Sequence, residues 1–285
     1  MVQVLLKRHR YGRRLEKLVK QVNVEGTRHV LDAAREAGCT GLVYTSSCCA
    51  VTDDMSKPYA NIDERWPPSP QSSIYGESKV EAEALVLKAN GATFSTCVLR
   101  PAVIFGEGDQ QLVPPIHACI AKHETAFKIG NGTNLWDTVY VGNVADAHVL
   151  AAQNLLSSKS AAGEIFFIQN NEPISFREFS LAVWKEFGHY PPVEITIPEG
   201  LAWIVGLFAE LFTRISGTPT TLSRGSVLDA CAMRYASGEK ARQLLGYRPR
   251  VGLEMGLKRS CQVRRSGNTP VDSARHSRGT NGMQR

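Results

Sequence analysis

The 285-residue sequence contains no run of twenty apolar residues and no stretch with the features of a secretory signal, so the chain is not expected to span a membrane. Its seven cysteines form no CxxC pair, and no histidine cluster lies beside them. That excludes a sequence-readable metal site and argues for small buried side chains in a reducing compartment. No internal repeat is visible. The basic excess, a formal +6, belongs to the ends. Residues 1–20 carry seven Lys and Arg against Glu16, and residues 258–285 carry seven against Asp272, which leaves the body between them acidic. An acidic body repels a phosphate backbone, so no nucleic-acid partner is expected.

What the chain does have is alternation. From residue 21, "NVEGTRHVLDAAREAG" reads as a helix stopped by Gly38, "GLVYTSS" as a strand ending in hydroxyl residues, and residues 73–89 as a second helix. "TFSTCVLRPAVIFG" reads as a strand running past Pro101 into a loop. "VGNVADAHVLAAQNLL" is a helix and "GEIFFIQN" a third strand. Strands alternating with helices predict an α/β fold with a parallel, Rossmann-type sheet and sites at the strands' carboxyl ends. From residue 171 the pattern predicts a smaller, mostly helical lobe containing an apolar helix over 201–215. That segment is too short to cross a bilayer, and it reads either as a buried wall or as a helix lying in a membrane interface with Trp203, Phe208 and Phe212 immersed. The expected organisation is a basic leader (1–20), a partial Rossmann domain (21–170), a substrate lobe (171–260) and a disordered basic tail (261–285).

"SSIYGESKVEAEAL" places Tyr75 and Lys79 four residues apart on the second helix, in line with Ser78, Ala82 and Val86. A lysine on an inward face needs water, a partner or a task, because an unpaired buried charge is costly. The bland alternative is a snorkelling lysine beside a packed tyrosine. Ser47, 28 residues before Tyr75 at a strand's carboxyl end, adds the third member of a set able to oxidise an alcohol. In that scheme the ammonium lowers the phenol's pKa toward the working range, the serine holds the substrate oxygen, and a nicotinamide supplies the redox chemistry.

Together, "VNVEGTRHVLDAA", "LVYTSS", "YGESKVEAEALV", "CVLRPAVIFGEGDQQLVP" and "FKIGNGTNLWDTVYVGNVADAHVLAA" resemble the extended short-chain dehydrogenase/reductases. More closely they are similar to the 3β-hydroxysteroid dehydrogenase branch and its fungal sterol-4α-carboxylate 3-dehydrogenases (decarboxylating). The resemblance covers about residues 21–260. It implies Tyr75 as proton acceptor, Lys79 as its activator and ribose ligand, Ser47 as the group orienting the hydroxyl, and Asn23 as a fourth catalytic member. Pro101 and Val103 are implied at the cofactor, which would be NAD or NADP. Arg100 matches a family turn and has a structural reading as well.

The resemblance further implies a sterol or triterpenoid 4-carboxylate as substrate and peripheral contact with the cytosolic face of the endoplasmic reticulum or with lipid droplets. A homodimer or a multienzyme sterol-demethylation complex is among the partners it implies. The family opens with a strand, a glycine-rich GxxGxxG turn and a helix, whereas Gly12 is the sole glycine before Asn23. On the order of 80–90 residues of nucleotide-binding units are therefore expected to be missing, which makes the Rossmann sheet incomplete, leaves the "LVYTSS" strand with an exposed edge, and predicts weak binding of NAD(P)H. A non-catalytic binding protein remains one alternative. A nucleotide-sugar epimerase or a dihydroflavonol-type reductase with the same Ser/Tyr/Lys set is another.

Overall fold

The structure, a computed structural model, describes residues 15–54, 57–68, 73–216 and 222–265. The first helix begins earlier than its apolar pattern suggests. It runs from α1 (Glu16–Lys20) through one π-helical turn (Gln21–Glu25) into α2 (Gly26–Glu36) without a break. Gly38 then takes φ +72, the left-handed conformation that ends a helix and that glycine adopts without strain. The expected leader is therefore helical from residue 16, and Lys20 pairs with Glu81 at 2.7 Å instead of trailing in solvent. Residues 1–14 lie outside the described residues.

β1 (Gly41–Thr45), β3 (Ser95–Pro101) and β8 (Ile165–Ile168) form a three-stranded parallel sheet in the order β1-β3-β8. β3 is buried along its whole length, as a central parallel strand must be. β1 lies at the margin: among the described residues it pairs with β3 alone, and four of its five residues are half-buried. α3 (Ile74–Ala89) packs on this sheet through Val86 and Ala89, against Leu31, Phe94 and Val98. α5 (Val141–Leu156) lies against it through Val144, Ala147, Ala151 and Leu155.

The segment after Pro101, expected as a loop, holds a short strand, β4 (Val103–Phe105), which pairs in parallel with β7 (Thr138–Tyr140). Sequence patterning misses it because three residues are too few to show a period. A second sheet joins distant parts of the chain. β2 (Tyr59–Ile62), β11 (Arg234–Ala236), β6 (Leu135–Trp136) and β9 (Ile174–Ser175) pair in the order β2-β11-β6-β9. This sheet crosses the division drawn at residue 170, so the C-terminal part is less purely helical than its sequence predicts. α4 (Val113–Ala121), α6 (Phe176–Glu186) and α10 (Leu253–Arg265) close a further core around Phe105, Trp184 and Leu257. Residues 261–265 belong to α10, which corrects the expected start of a disordered tail, and residues 266–285 lie outside the described residues.

α7 (Glu199–Ser216) covers the expected apolar stretch. It contacts α8 (Arg224–Cys231). Its buried positions are small: Ala202 and Gly206, where a Cβ on Gly206 would meet the Ser223 carbonyl carbon at 2.8 Å. The large apolar side chains face outward.

Candidate active site

Two sheet strands and one helix build the site. β1 ends at Thr45, and Ser46 N–H donates to Leu99 O at 2.7 Å, which holds the chain beside β3 for one more residue. Ser47 then caps a short 3-10 turn (Cys48–Ala50), accepting a hydrogen bond from Cys49 N–H at 3.2 Å. Opposite, Ser73 caps α3, with its hydroxyl accepting from Gly76 N–H at 3.1 Å. Ser73 is itself fixed by Asp53, which receives both its N–H and its hydroxyl. Tyr75 and Lys79 therefore start the first two turns of a helix whose beginning is anchored to the loop that follows Ser47.

Lys79 is half-buried. Its ammonium donates to Thr45 O at 3.0 Å and to Tyr44 Oη at 3.4 Å, and it stands 5.0 Å from the Tyr44 ring centroid and 5.8 Å from that of Tyr75. Thr45 is held in turn by His148 on α5, with Oγ1 to Nε2 at 2.6 Å. His148 Nδ1 donates to Val144 O at 2.7 Å, so Nε2 is the acceptor and Thr45 the donor. Tyr44, Thr45 and His148 escaped the sequence reading: a single tyrosine, threonine or histidine carries no spacing signal, and only the pairing of β1 with α3 and α5 gives each a purpose.

The electrostatics differ from the expectation in one respect. Burial pushes the Tyr75 phenol well above its ordinary value, Cys49 adds to the rise, and the hydrogen bond with Ser47 opposes it. The phenol is thus raised in this state, not drawn down by the ammonium. Lys79 directs its donors to Thr45 O and Tyr44, and burial lowers its own pKa while the Glu83 carboxylate resists that fall. Burial also raises the Tyr44 phenol, to about 12.

Asn23 sits in the π-helical turn, buried, and its amide donates to Ser78 Oγ at 2.8 Å. Ser78 passes the contact on by donating to Tyr75 O at 2.7 Å. Asn23 thus reaches the backbone of the Tyr75 turn rather than its phenol. Single π-helical turns recur at functional sites because they re-aim one side chain. Pro101 closes β3, in register with Ile168, and Val103 opens β4. Both leave the sheet at the carboxyl end shared with Ser47. Arg100 is structural in its contacts: Nε and Nη2 grip Glu83 at 2.9 and 2.7 Å, with both side chains 4% exposed, and so lock β3 to α3.

A nicotinamide nucleotide fits one end of this arrangement. Lys79 has three donors, and the two contacts above leave one for a ribose hydroxyl at the mouth formed by Ser47 and Tyr75. Among the described residues, no glycine-rich turn follows a strand to receive the pyrophosphate.

Comparison with known proteins gives a consistent family. The model of the 3-beta hydroxysteroid dehydrogenase/isomerase family matches residues 8–199. The chain is 42% identical over 245 residues to the Saccharomyces cerevisiae sterol-4-alpha-carboxylate 3-dehydrogenase, decarboxylating, spanning 84% of this chain and 70% of the relative. It is 33% identical to the mouse protein of the same description, over 87% of this chain and 69% of that one. A 2-alkyl-3-oxoalkanoate reductase from Stenotrophomonas maltophilia is 36% identical, over 84% and 73%. Among solved structures, the Thermotoga maritima UDP-glucose 4-epimerase shares the fold at TM-score 0.63 and 20% identity, over 87% of this chain and 71% of that one. The chain belongs to the 3-beta hydroxysteroid dehydrogenase/isomerase family.

Proposed function

We propose that this protein oxidises the 3β-hydroxyl of a sterol or triterpenoid 4-carboxylate with NAD or NADP, and that the carboxylate then leaves as CO₂. The observation that carries the reading is the 42% identity to the yeast sterol dehydrogenase across a chain that brings Ser47, Tyr75 and Lys79 to one mouth. NAD or NADP, when bound, supplies the hydride acceptor. Ser47 holds the substrate oxygen. Tyr75 takes the hydroxyl proton, and the Ser47 hydrogen bond works against the burial that holds its phenol protonated. Lys79 is oriented by Thr45 O and Tyr44, and Asn23 and Ser78 set the helical turn that carries Tyr75. The resulting 3-ketone lies next to the carbon bearing the carboxylate and accepts the electron pair released when that C–C bond breaks. No metal is needed.

The same reading places the protein peripherally at the cytosolic face of the endoplasmic reticulum or on a lipid droplet, with α7 as the contact. Its support is the row of outward side chains, among them Leu201 (53% exposed), Phe208 (64%), Leu211 (52%), Phe212 (57%) and Ile215 (79%). Among the described residues no helix is long and apolar enough to cross a membrane.

The experiment is a kinetic comparison. Tyr75→Phe is expected to cut kcat by roughly 10²–10⁴ with sterol binding unchanged, because only the transferable proton is lost. Lys79→Ala is expected to lower kcat and also to raise the KM for the nucleotide. Near-normal turnover by Tyr75→Phe would reject the assignment.

A further inference from the structure

We propose that Arg234 is the residue that recognises the substrate's carboxylate and so selects carboxylated over uncarboxylated ring systems. The proposal rests on the sterol 4-carboxylate reading, which demands a cation close to the reacting alcohol, since the carboxylate is carried on the adjacent carbon.

Three arginines and lysines flank the Ser47 turn and its strands, and two are committed. Lys79 is fixed on Thr45 O and Tyr44, and Arg100, although its Nη1 has no partner among the described residues, has its charge neutralised by a bidentate pair with Glu83. Arg234 is different. Its side chain is 10% exposed, yet among the described residues its only ion pair is Nη2 to Asp229 Oδ1 at 3.3 Å. Nε and Nη1 have no protein acceptor among those residues. The guanidinium is stacked at 4.3 Å from the Trp136 ring centroid, which fixes its plane. A planar, oriented fork with unused donors in a nearly dry setting matches a carboxylate better than a flexible lysine would.

Its place in the fold aims it at the site. β11 lies between β2 and β6, with Arg234 in register with Tyr59 on one side and Trp136 on the other. The β2–β11 register shifts between Arg234 and Ala236, so the face is marked by Tyr59, which pairs with Arg234 and belongs to the cluster of Ala236. Ala236, two residues on, packs with Tyr59, Ile62, Val51 and Phe167, and Cys48 packs against that cluster. Arg234 therefore shares the face of β11 that meets the turn beginning at Ser47. The electrostatics agree. The Cys48 thiol is raised chiefly by its hydrogen bond with Cys49 and by burial, and Arg234 pulls against that rise. The positive charge is thus felt one residue from the hydroxyl that holds the substrate oxygen.

The test is calorimetric binding of a 4-carboxy-3β-hydroxysterol and of its methyl ester, both presented in detergent micelles, to the unmodified protein, Arg234→Gln and Arg234→Lys. The unmodified protein is expected to prefer the acid by roughly ten- to a hundredfold, the size of a hydrogen bond to a charged group. Arg234→Gln should bring the two ligands within about threefold of each other, and Arg234→Lys should keep part of the preference. Equal binding of acid and ester by the unmodified protein, which needs no variant to fold, would overturn the role of Arg234 and leave the sterol reading standing. So would an undiminished preference in Arg234→Gln. Binding of neither ligand would overturn both.

Discussion

At Asp137 the chain keeps a carboxyl group where water barely reaches, 3% exposed beside β7. Burial raises its pKa to about 7, against the pull of the Thr138, Glu172 and Asn171 backbone N–H groups. The unfolded chain would release the same proton near pH 4. Between pH 4 and 7 the folded state therefore binds more protons than the unfolded one, so stability falls as pH rises through that window and levels off above it. Asp137→Asn removes this dependence. Relative to the unmodified protein, the variant should gain on the order of 2 kcal/mol between pH 5 and pH 8, read from denaturant midpoints. A constant difference across that range would contradict the raised pKa.

The candidate residues Tyr75 and Lys79 were legible because their types are rare on an inward helical face. Tyr75 and Lys79 stand in line with Ala82 and Val86, a line that the sequence alone shows. The residues that hold them were not. Thr45 reaches Lys79 with a backbone carbonyl, and Asn23 acts on the Tyr75 turn through Ser78. Such contacts leave no periodicity to read.

At the scale of elements, the helices over 74–89 and 141–156 matched their patterns closely because each runs for several turns, the first of them from a Ser73 cap. Two- and three-residue strands such as β6, β9 and β11 did not show. They are held by neighbours, not by their own alternation. α7 is legible in composition but ambiguous in purpose, since an apolar helix reads alike whether buried or exposed. The structure decides the facing: Ala202 and Gly206 point in, and Trp203, Phe208 and Phe212 point out. Replacing those three aromatics with serine should shift the protein from the floating liposome fraction to the unbound bottom fraction in a liposome flotation assay, by at least about tenfold given the apolar area withdrawn. Its fold should persist, because none of the three is buried. Unchanged flotation of the variant would move the contact elsewhere.

The molecule as a whole joins a parallel sheet that presents Ser47, Tyr75 and Lys79 to a second sheet and an outward apolar helix drawn from the C-terminal part. Arg100 and Glu83 tie sheet to helix, β11 pairs Arg234 with Tyr59, and α7 turns a row of apolar side chains outward. On the proposed reading, turnover is measured at saturating NAD or NADP. The most direct measurement is release of labelled CO₂ from a 4-carboxy-3β-hydroxysterol, followed together with formation of the 3-ketone. Equal amounts of CO₂ and ketone, both abolished in Tyr75→Phe, are the predicted result. Ketone formed with the carboxylate retained, or CO₂ released undiminished by Tyr75→Phe, would contradict the account.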